Sequence, residues 1–476
     1  MKELARRAGV SQEFFESWRL EMTPCFTIVH LQAGTAKQVR FRRHSDYCGS
    51  RLAGPEFQTV HAEWLMPPPQ ELAESAPDLI VPFCEVRERV RQPLFQRVSD
   101  ACMECFTDLP ASTLYCLCRV EETQGNRRDV HSRFTAKMSV ASRDSFLDRP
   151  IVDEWGMAFA QALEALMPGF RPANRPLRVK ISHDIDEVGF CSRIWPSKLN
   201  GERRQIGRFA WMLLPFDARR AIRMTVRELN PFSAVASLGR VVAQEEPNCL
   251  GLVNLVAGMA LQRGLHSAVY WKASRLGPFD SGYDPRDNRV RTVVHRLQEQ
   301  GIENGFHAGY RTFDYPDELA SEAELVQDVI GEGPIGGRQH YLRWHPESWG
   351  DWEDCGLAYD STVSYADEVG FRAGTCRPYH PWLVERNREA RLLEIPLIAM
   401  DTSLLEYMQV RGEAQRCLVR ELAKRCRAVG GVFTFVCHNT TLRDPSFVSE
   451  YAAILDVMAT AEDFDWKACQ RDEWVN

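Results

Sequence analysis

The sequence lacks a long apolar run. Its longest, Phe209 to Phe216, falls far short of the roughly 20 residues that cross a bilayer, so no transmembrane segment is expected. It also lacks an excess of positive charge: 58 Lys and Arg stand against 65 Asp and Glu, a formal charge of −7 with a pI near 6.0. No global field draws such a chain to nucleic acid, and no nucleic-acid partner is expected. Internal repeats and low-complexity tracts are missing, which removes solenoids and disordered linkers. The opening MKELARRAGVSQEFFESW has no apolar stretch of the kind a leader carries, so neither signal peptide nor anchor is expected. Fifteen cysteines, an odd number, suit a compartment in which thiols stay reduced, and the expected location is cytoplasmic.

What is present is enough chain for two or three domains: 476 residues of ordinary globular composition. Residues 1–172 carry mixed short segments with turn signals, including Pro67, Pro68 and Pro69 and a strand-like stretch from Thr113 to Glu122. They read as a smaller N-terminal α+β accessory domain. It closes with an expected helix over Val152–Met167, where Trp155, Phe159, Ala162 and Leu163 share a face before Pro168 and Gly169. From residue 173 to 476 the pattern changes. Short apolar strands (LRVKIS, SAVYW, NGFHAGY, LAYDSTVS, LLEIPL, VFTFVCHN) alternate with amphipathic helices, and each carries polar residues at or after its C-terminal end. That pattern predicts an α/β fold with a parallel sheet, either a barrel or a doubly wound sheet, whose chemistry sits at the carboxyl ends of the strands. An interruption over about 196–248, with basic residues such as Arg203, Arg204, Arg219 and Arg220, reads as a helical insertion. It is either a solvated face or a lid over an anionic, phosphate-bearing substrate, with peripheral membrane contact open to it.

Candidate chemistry is concentrated in five places. Ser182-His183-Asp184-Ile185-Asp186-Glu187 follows an expected strand, and the period of two puts Asp184 and Asp186 on one side. Carboxylates brought so close repel unless a cation or a shared proton compensates. The other places are Gly305-Phe306-His307-Ala308-Gly309-Tyr310, Gly336-Gly337-Arg338-Gln339-His340-Tyr341, Tyr359-Asp360-Ser361-Thr362 joined to Phe371-Arg372-Ala373-Gly374, and Phe435-Val436-Cys437-His438-Asn439. Histidines at strand ends are candidate nitrogen ligands for a zinc-like ion.

This order of motifs resembles the polysaccharide deacetylase superfamily (NodB-like, carbohydrate esterase family four). The resemblance runs over roughly residues 85 to 445, including Cys118-Arg119-Val120-Glu121-Glu122, His131-Ser132-Arg133-Phe134 and Arg149 to Trp155. It implies a deformed (β/α) barrel of NodB type with a helical insertion, and hydrolysis of an N-acetyl group on an amino sugar with a divalent metal, Zn2+ first among them. It also implies Asp184 as general base, Asp186 and His307 as metal ligands, Arg372 as the arginine that orients the base, His438 as the acid that protonates the leaving amine, and Asp401 as the partner of a catalytic histidine. The family's His-x-x-x-His is broken here, since Arg311 stands four residues after His307. His340 is the first choice for the missing ligand, with His183 and His345 as alternatives. Tyr310, Arg311, Arg338 and Asp360, beside these motifs, are read as substrate contacts. Two other readings stand beside the deacetylase: a binder of carbohydrate or nucleotide that has lost its catalysis, and a deacylase of a non-sugar amide.

Weaker patterns receive structural readings. Cys102-x-x-Cys105 is expected on a helix and Cys116-x-Cys118 on a strand, packing as small hydrophobes. Leu4 to Ser11 with Trp18 opens like a helix-turn-helix, but no second helix pair or basic charge supports it. Trp344, Trp349 and Trp352 are read as either a sugar-stacking platform or core.

Overall fold

Strands buried on both faces read as continuous apolar runs, and the second half of the chain builds its sheet from such strands. The computed structural model describes residues 1–31, 36–43, 58–84, 92–123, 127–173, 175–188, 249–265, 267–459 and 461–467. The basic insertion expected over 196–248 lies outside the described residues.

The first strands are β1 (Arg19–Met22), β2 (Phe26–His30), β3 (Gln38–Arg42), β4 (Gln58–Ala62), β5 (Leu79–Cys84), β6 (Phe95–Ser99) and β7 (Cys102–Cys105). Five of them form a mixed sheet in the order β1-β2-β3-β7-β6, and β4 pairs with β5. The helix Ile151–Leu166 packs on this layer, one residue off the expected span, with Trp155 and Phe159 fully buried. Gly156 lets the helix Lys2–Arg7 approach, because a Cβ there would sit 2.3 Å from the Cβ of Arg7. The N-terminal residues resembling a helix-turn-helix are thus packed against the body of the protein, with Leu4 and Ala5 in the core.

Two local expectations are corrected here. Thr113 to Glu122 is helical: helices span Leu109–Leu117 and Val120–Thr123. The Asp108 side chain accepts from the Ala111 amide at 3.1 Å and Pro110 sits in the first turn, a helix start that outweighs the β-branched and aromatic residues behind it. The cysteine pairs are exchanged accordingly: Cys102 and Cys105 lie on β7, and Cys116 and Cys118 at a helix end.

The second sheet contains β8 (Arg178–Ile185), β9 (Ser267–Trp271), β10 (Glu303–Ala308), β11 (Gly337–Gln339), β12 (Tyr359–Asp360), β15 (Leu393–Glu394), β16 (Ala399–Met400) and β17 (Val432–Val436), in the order β15-β12-β11-β10-β9-β8-β17-β16. Every neighbouring pair along this path is parallel. Two short strands, β13 (Trp382–Leu383) and β14 (Arg388–Glu389), form a separate ribbon, and β18 (Glu462–Asp463) lies beside the start of β8. A flat sheet of eight strands at ~4.8 Å spacing would hold its edges ~34 Å apart. The edge strands β15 and β16 are nevertheless consecutive in the chain, and the five steps from Glu394 to Ala399 span at most ~18 Å. The sheet therefore curls. Within the connection, the Ile395 amide donates to Asp360 O near one edge and the Ile398 amide to Thr434 Oγ1 near the other, each at 2.8 Å. This is a mixed α/β architecture with a curled parallel sheet, consistent with a deformed barrel.

One apolar cluster runs from Val39 and Phe41 of the first sheet through Trp155 to Val179 and Phe433 of the second. Trp344, Trp349 and Trp352 are buried in it and serve as core. No helix among the described residues is long and apolar enough to cross a membrane.

Candidate active site

The carboxyl ends of the curled strands converge on a cavity of about 710 Å³, a size suited to a small ligand. Asp184 and Asp186 reach it from the end of β8, His307 from β10, His340 from the turn after β11 and His438 from the residues after β17. The neighbouring strand β11 fits because Gly337 has no side chain; a Cβ there would lie 1.6 Å from Phe306 O. After β11 the backbone turns sharply, with Tyr341 and Leu342 both left-handed at φ 62° and 53°. Such conformations are costly for residues of this size, and they sit directly behind His340.

Three electron-rich atoms meet at Asp186. Its Oδ1 lies 3.4 Å from His307 Nε2 and 3.2 Å from His340 Nε2. His307 Nδ1 donates to Arg338 O at 2.9 Å, and His340 Nδ1 donates to Asp280 Oδ1 at 2.8 Å. These second partners fix the tautomers, so in the neutral rings both Nε2 lone pairs face the carboxylate. Ligands on a tetrahedral zinc-like ion with ~2.0 Å bonds lie ~3.3 Å apart, and the observed spacings match. His307 Nε2 is moreover buried with no hydrogen-bond partner. The donor set Asp186, His307 and His340 therefore fits a divalent metal.

A lysine stands in the same place. Lys272, which follows β9, puts Nζ 2.7 Å from Asp186 Oδ1, 3.0 Å from the ring nitrogens of His340 and 3.4 Å from Asp280 Oδ1. Burial opposes both charges, yet Lys272 and the histidines hold Asp186 well below the usual carboxylate range, and Asp186 and Asp280 raise Lys272. Burial also lowers His307, which favours the neutral ring a metal requires.

Asp184 lies beside this triad. Its Oδ1 accepts from Arg338 at 2.8 Å, and its Oδ2 is 3.8 Å from His307 Nδ1 and 4.0 Å from His438 Nε2. Burial would protonate it, but Arg338, His307 and His438 together outweigh burial and hold it below the usual carboxylate range. His438 Nδ1 is 2.6 Å from Asp401 Oδ1, and its backbone amide donates to Asp401 Oδ2 at 2.9 Å. Burial alone would lower this imidazole; Asp401 instead raises it to about 10.

Several sequence candidates lie elsewhere. Arg372 does not reach Asp184: it pairs with Glu122 and donates to Ser364 O at 2.7 Å, and the arginine on Asp184 is Arg338. A register argument explains this, since Arg338 is paired with His307 across β10 and β11, whereas Arg372 lies in the irregular segment behind β12. Arg372→Met would leave buried Glu122 with Arg119 alone, and we expect a loss of stability of about 3–5 kcal/mol, read by denaturant unfolding, with metal content unchanged. Arg311 points to the surface, where it pairs with Glu318 at 2.9 Å and stacks over Tyr315. Asp360 is buried away from the cavity against Thr362, and burial raises it to about 7. His183 turns to the opposite side of β8, 3.2 Å from Cys437 O and 3.5 Å from the Tyr451 hydroxyl, and burial lowers it to about 4. His345 pairs with Glu347 at 2.8 Å. Neither of these two replaces the missing histidine.

Four other residues at the cavity, Lys272, Asp280, His131 and Arg133, were given no role from the sequence, and of these only His131 and Arg133 lay in a motif, His131-Ser132-Arg133-Phe134. Lys272 and Asp280 come from the β9 segment and the loop behind it. His131 and Arg133 enter from the N-terminal half: His131 Nδ1 lies 3.1 Å from the Tyr310 hydroxyl, and Arg133 donates to Tyr341 O and the Tyr407 hydroxyl at 3.1 and 3.0 Å. Together with Phe279, whose ring lies 4.3 Å from that of Tyr310, they form an aromatic rim. For Lys272 the signal in the sequence was only a lysine directly after an apolar strand.

Residues 28–168 match a family of unknown function (DUF7033), a span that includes His131 and Arg133. No curated protein matches. Among solved structures, a candidate polysaccharide deacetylase from Mycobacterium smegmatis is similar at 13% identity and a TM-score of 0.39, over 63% of this chain and 91% of that one.

Proposed function

We propose that the protein is a metal-dependent hydrolase that removes the N-acetyl group from an amino sugar, carried on a nucleotide, a lipid intermediate or a small glycoside. The observation that carries this reading is the convergence of Asp186, His307 and His340, with Asp186 Oδ1 at tetrahedral-ligand spacing from both Nε2 atoms, an ionised Asp184 on one side and a cationic His438 within reach. Asp186, His307 and His340 would hold the ion, which when bound supplies Lewis acidity and a water of lowered pKa. Asp184, kept ionised by Arg338, takes the proton from the attacking water as general base. His438, kept protonated by Asp401, gives a proton to the departing nitrogen, since an amide anion is a poor leaving group. Phe279, Tyr310 and Tyr341 offer apolar faces against which a pyranose ring packs. The metal-loaded protein should release acetate from one or more of a panel of N-acetylated sugars. Acetate release from acylated amines without a sugar, and from no sugar, would favour the non-sugar deacylase.

The pH dependence follows from His438. Activity should fall as pH rises through about 10, where the acid loses its proton. In Asp401→Asn the alkaline limb should move down toward the ordinary imidazole value of ~6.5. The stability the pair contributes has the same sign: it is full below ~6.5, where the unfolded imidazole is also charged, and is lost as pH rises through about 10.

A second reading is favoured by one observation. Lys272 already supplies positive charge to Asp186 and Asp280. A site so compensated would suit a carbohydrate or nucleotide binder that kept the fold without the reaction.

A further inference from the structure

At the opposite ends of the same strands, a second cavity of about 90 Å³ opens beside Arg178 of β8, Leu393 of β15 and Val432 of β17. Five arginines line it, Arg6, Arg7, Arg175, Arg178 and Arg377, with Glu3 as the single acidic lining residue. Glu3 is engaged by both Arg6, at 2.8 Å, and Arg7, and Arg7 also takes Asp153 at 3.0 Å. Arg175, Arg178 and Arg377 have no carboxylate within 4.0 Å among the described residues. Arg175 donates instead to Arg6 O at 3.2 Å and Arg377 to Arg7 O at 3.0 Å, and the Nε atoms of both are buried without a partner. Three guanidinium groups therefore crowd a small space with no carboxylate paired to any of them among the described residues, Asp153 and Glu3 acting on Arg175 and Arg377 only from a distance. Burial and the neighbouring arginines push Arg175 down to about 9, but a guanidinium keeps its proton in a protein. What relieves such a cluster is an anion.

Size admits one. The cavity of about 90 Å³ has room for several waters, enough for a tetrahedral oxyanion. Guanidinium forks match phosphate oxygens with two parallel hydrogen bonds. We propose that this cavity binds a phosphate-sized oxyanion, either free phosphate or the terminal phosphate of a small metabolite. The site is separate from the one described above: Arg178 and Asp184 are six residues apart on β8, or ~20 Å.

The test is calorimetric titration of inorganic phosphate into the full chain, in chloride buffer at fixed ionic strength. Saturable binding by the wild-type protein is expected, weakened at least tenfold in Arg175→Gln/Arg377→Gln, with unfolding midpoints recorded to show that the variants fold. Should the double variant fail to fold, Arg178→Gln serves in its place, because that side chain is half-buried and holds no carboxylate. Arg416→Gln, outside the cavity, should bind as the wild type does. A hexose phosphate bound more tightly than phosphate assigns the anion to a metabolite, and one bound no better assigns it to free phosphate. No saturable heat up to ~10 mM phosphate, or unchanged binding in the cavity variants, overturns the proposal.

Discussion

Asp184→Asn is expected to lower acetate release by about 10²- to 10⁴-fold while the protein retains its metal. The separation of the two readouts follows from the geometry. Asp186, His307 and His340 supply the three convergent donors, whereas Asp184 is turned away from them onto Arg338. Asparagine keeps the hydrogen-bond acceptor for Arg338 but cannot take a proton from water. His438→Gln should cost a similar factor by removing the proton donor. The double variant should be little worse than either single one, because groups that act as a unit are not additive. Loss of metal in Asp184→Asn would mean that Asp184 is a ligand and that the division of roles between the two aspartates is wrong.

Lys272→Met is expected to tighten metal binding by at least tenfold, measured by competition with a chromophoric chelator at constant pH. The buried ammonium stands 2.7 Å from Asp186 Oδ1, so it competes for the oxygen a metal needs and repels a divalent ion close by. At an effective dielectric of ~20, an ammonium and a divalent ion ~4 Å apart repel by ~8 kcal/mol, of which part is returned by the pairing of Lys272 with Asp280. Methionine fills the same volume without the charge. Asp280 keeps two partners after the substitution, His340 and the Tyr310 amide, so His340 remains oriented. Weaker metal binding in this variant would instead make Lys272 a support of the triad, needed to hold Asp186 in position.

The sequence carried the strand pattern because a two-sided buried parallel sheet favours short, mostly apolar segments with polar residues at their ends, a form clearest in β9 and β17, whereas β8 and β10 mix buried polar residues into theirs. The alternation of side chains put Asp184 and Asp186 on one side, but His183 was kept as an alternative ligand although the same period of two turns it into the core. His340 could be selected over His345 because it follows a glycine turn at a strand end. The remaining site residues were not legible for a common reason: their roles depend on pairings between distant segments. Arg338 meets Asp184 across two intervening strands, a contact that a motif placing Arg372 there could not anticipate. Asp280 joins the site through Lys272, the Tyr310 amide and His340, the last 60 residues on, and His131 through Tyr310. The helix at Leu109–Leu117 shows the local limit, since an apolar run without clear periodicity is decided by its cap and not by its side chains.

The central claim is that this chain carries a metal at Asp186, His307 and His340, and elemental analysis of protein purified without chelator tests it most directly. The account predicts about one zinc, cobalt, nickel or iron ion per folded chain, with the ion lost in both Asp186→Ala and His340→Ala. A wild-type chain that stays free of metal after reconstitution, while Lys272 keeps its pairing with Asp186, would contradict it and leave the binding protein as the better reading.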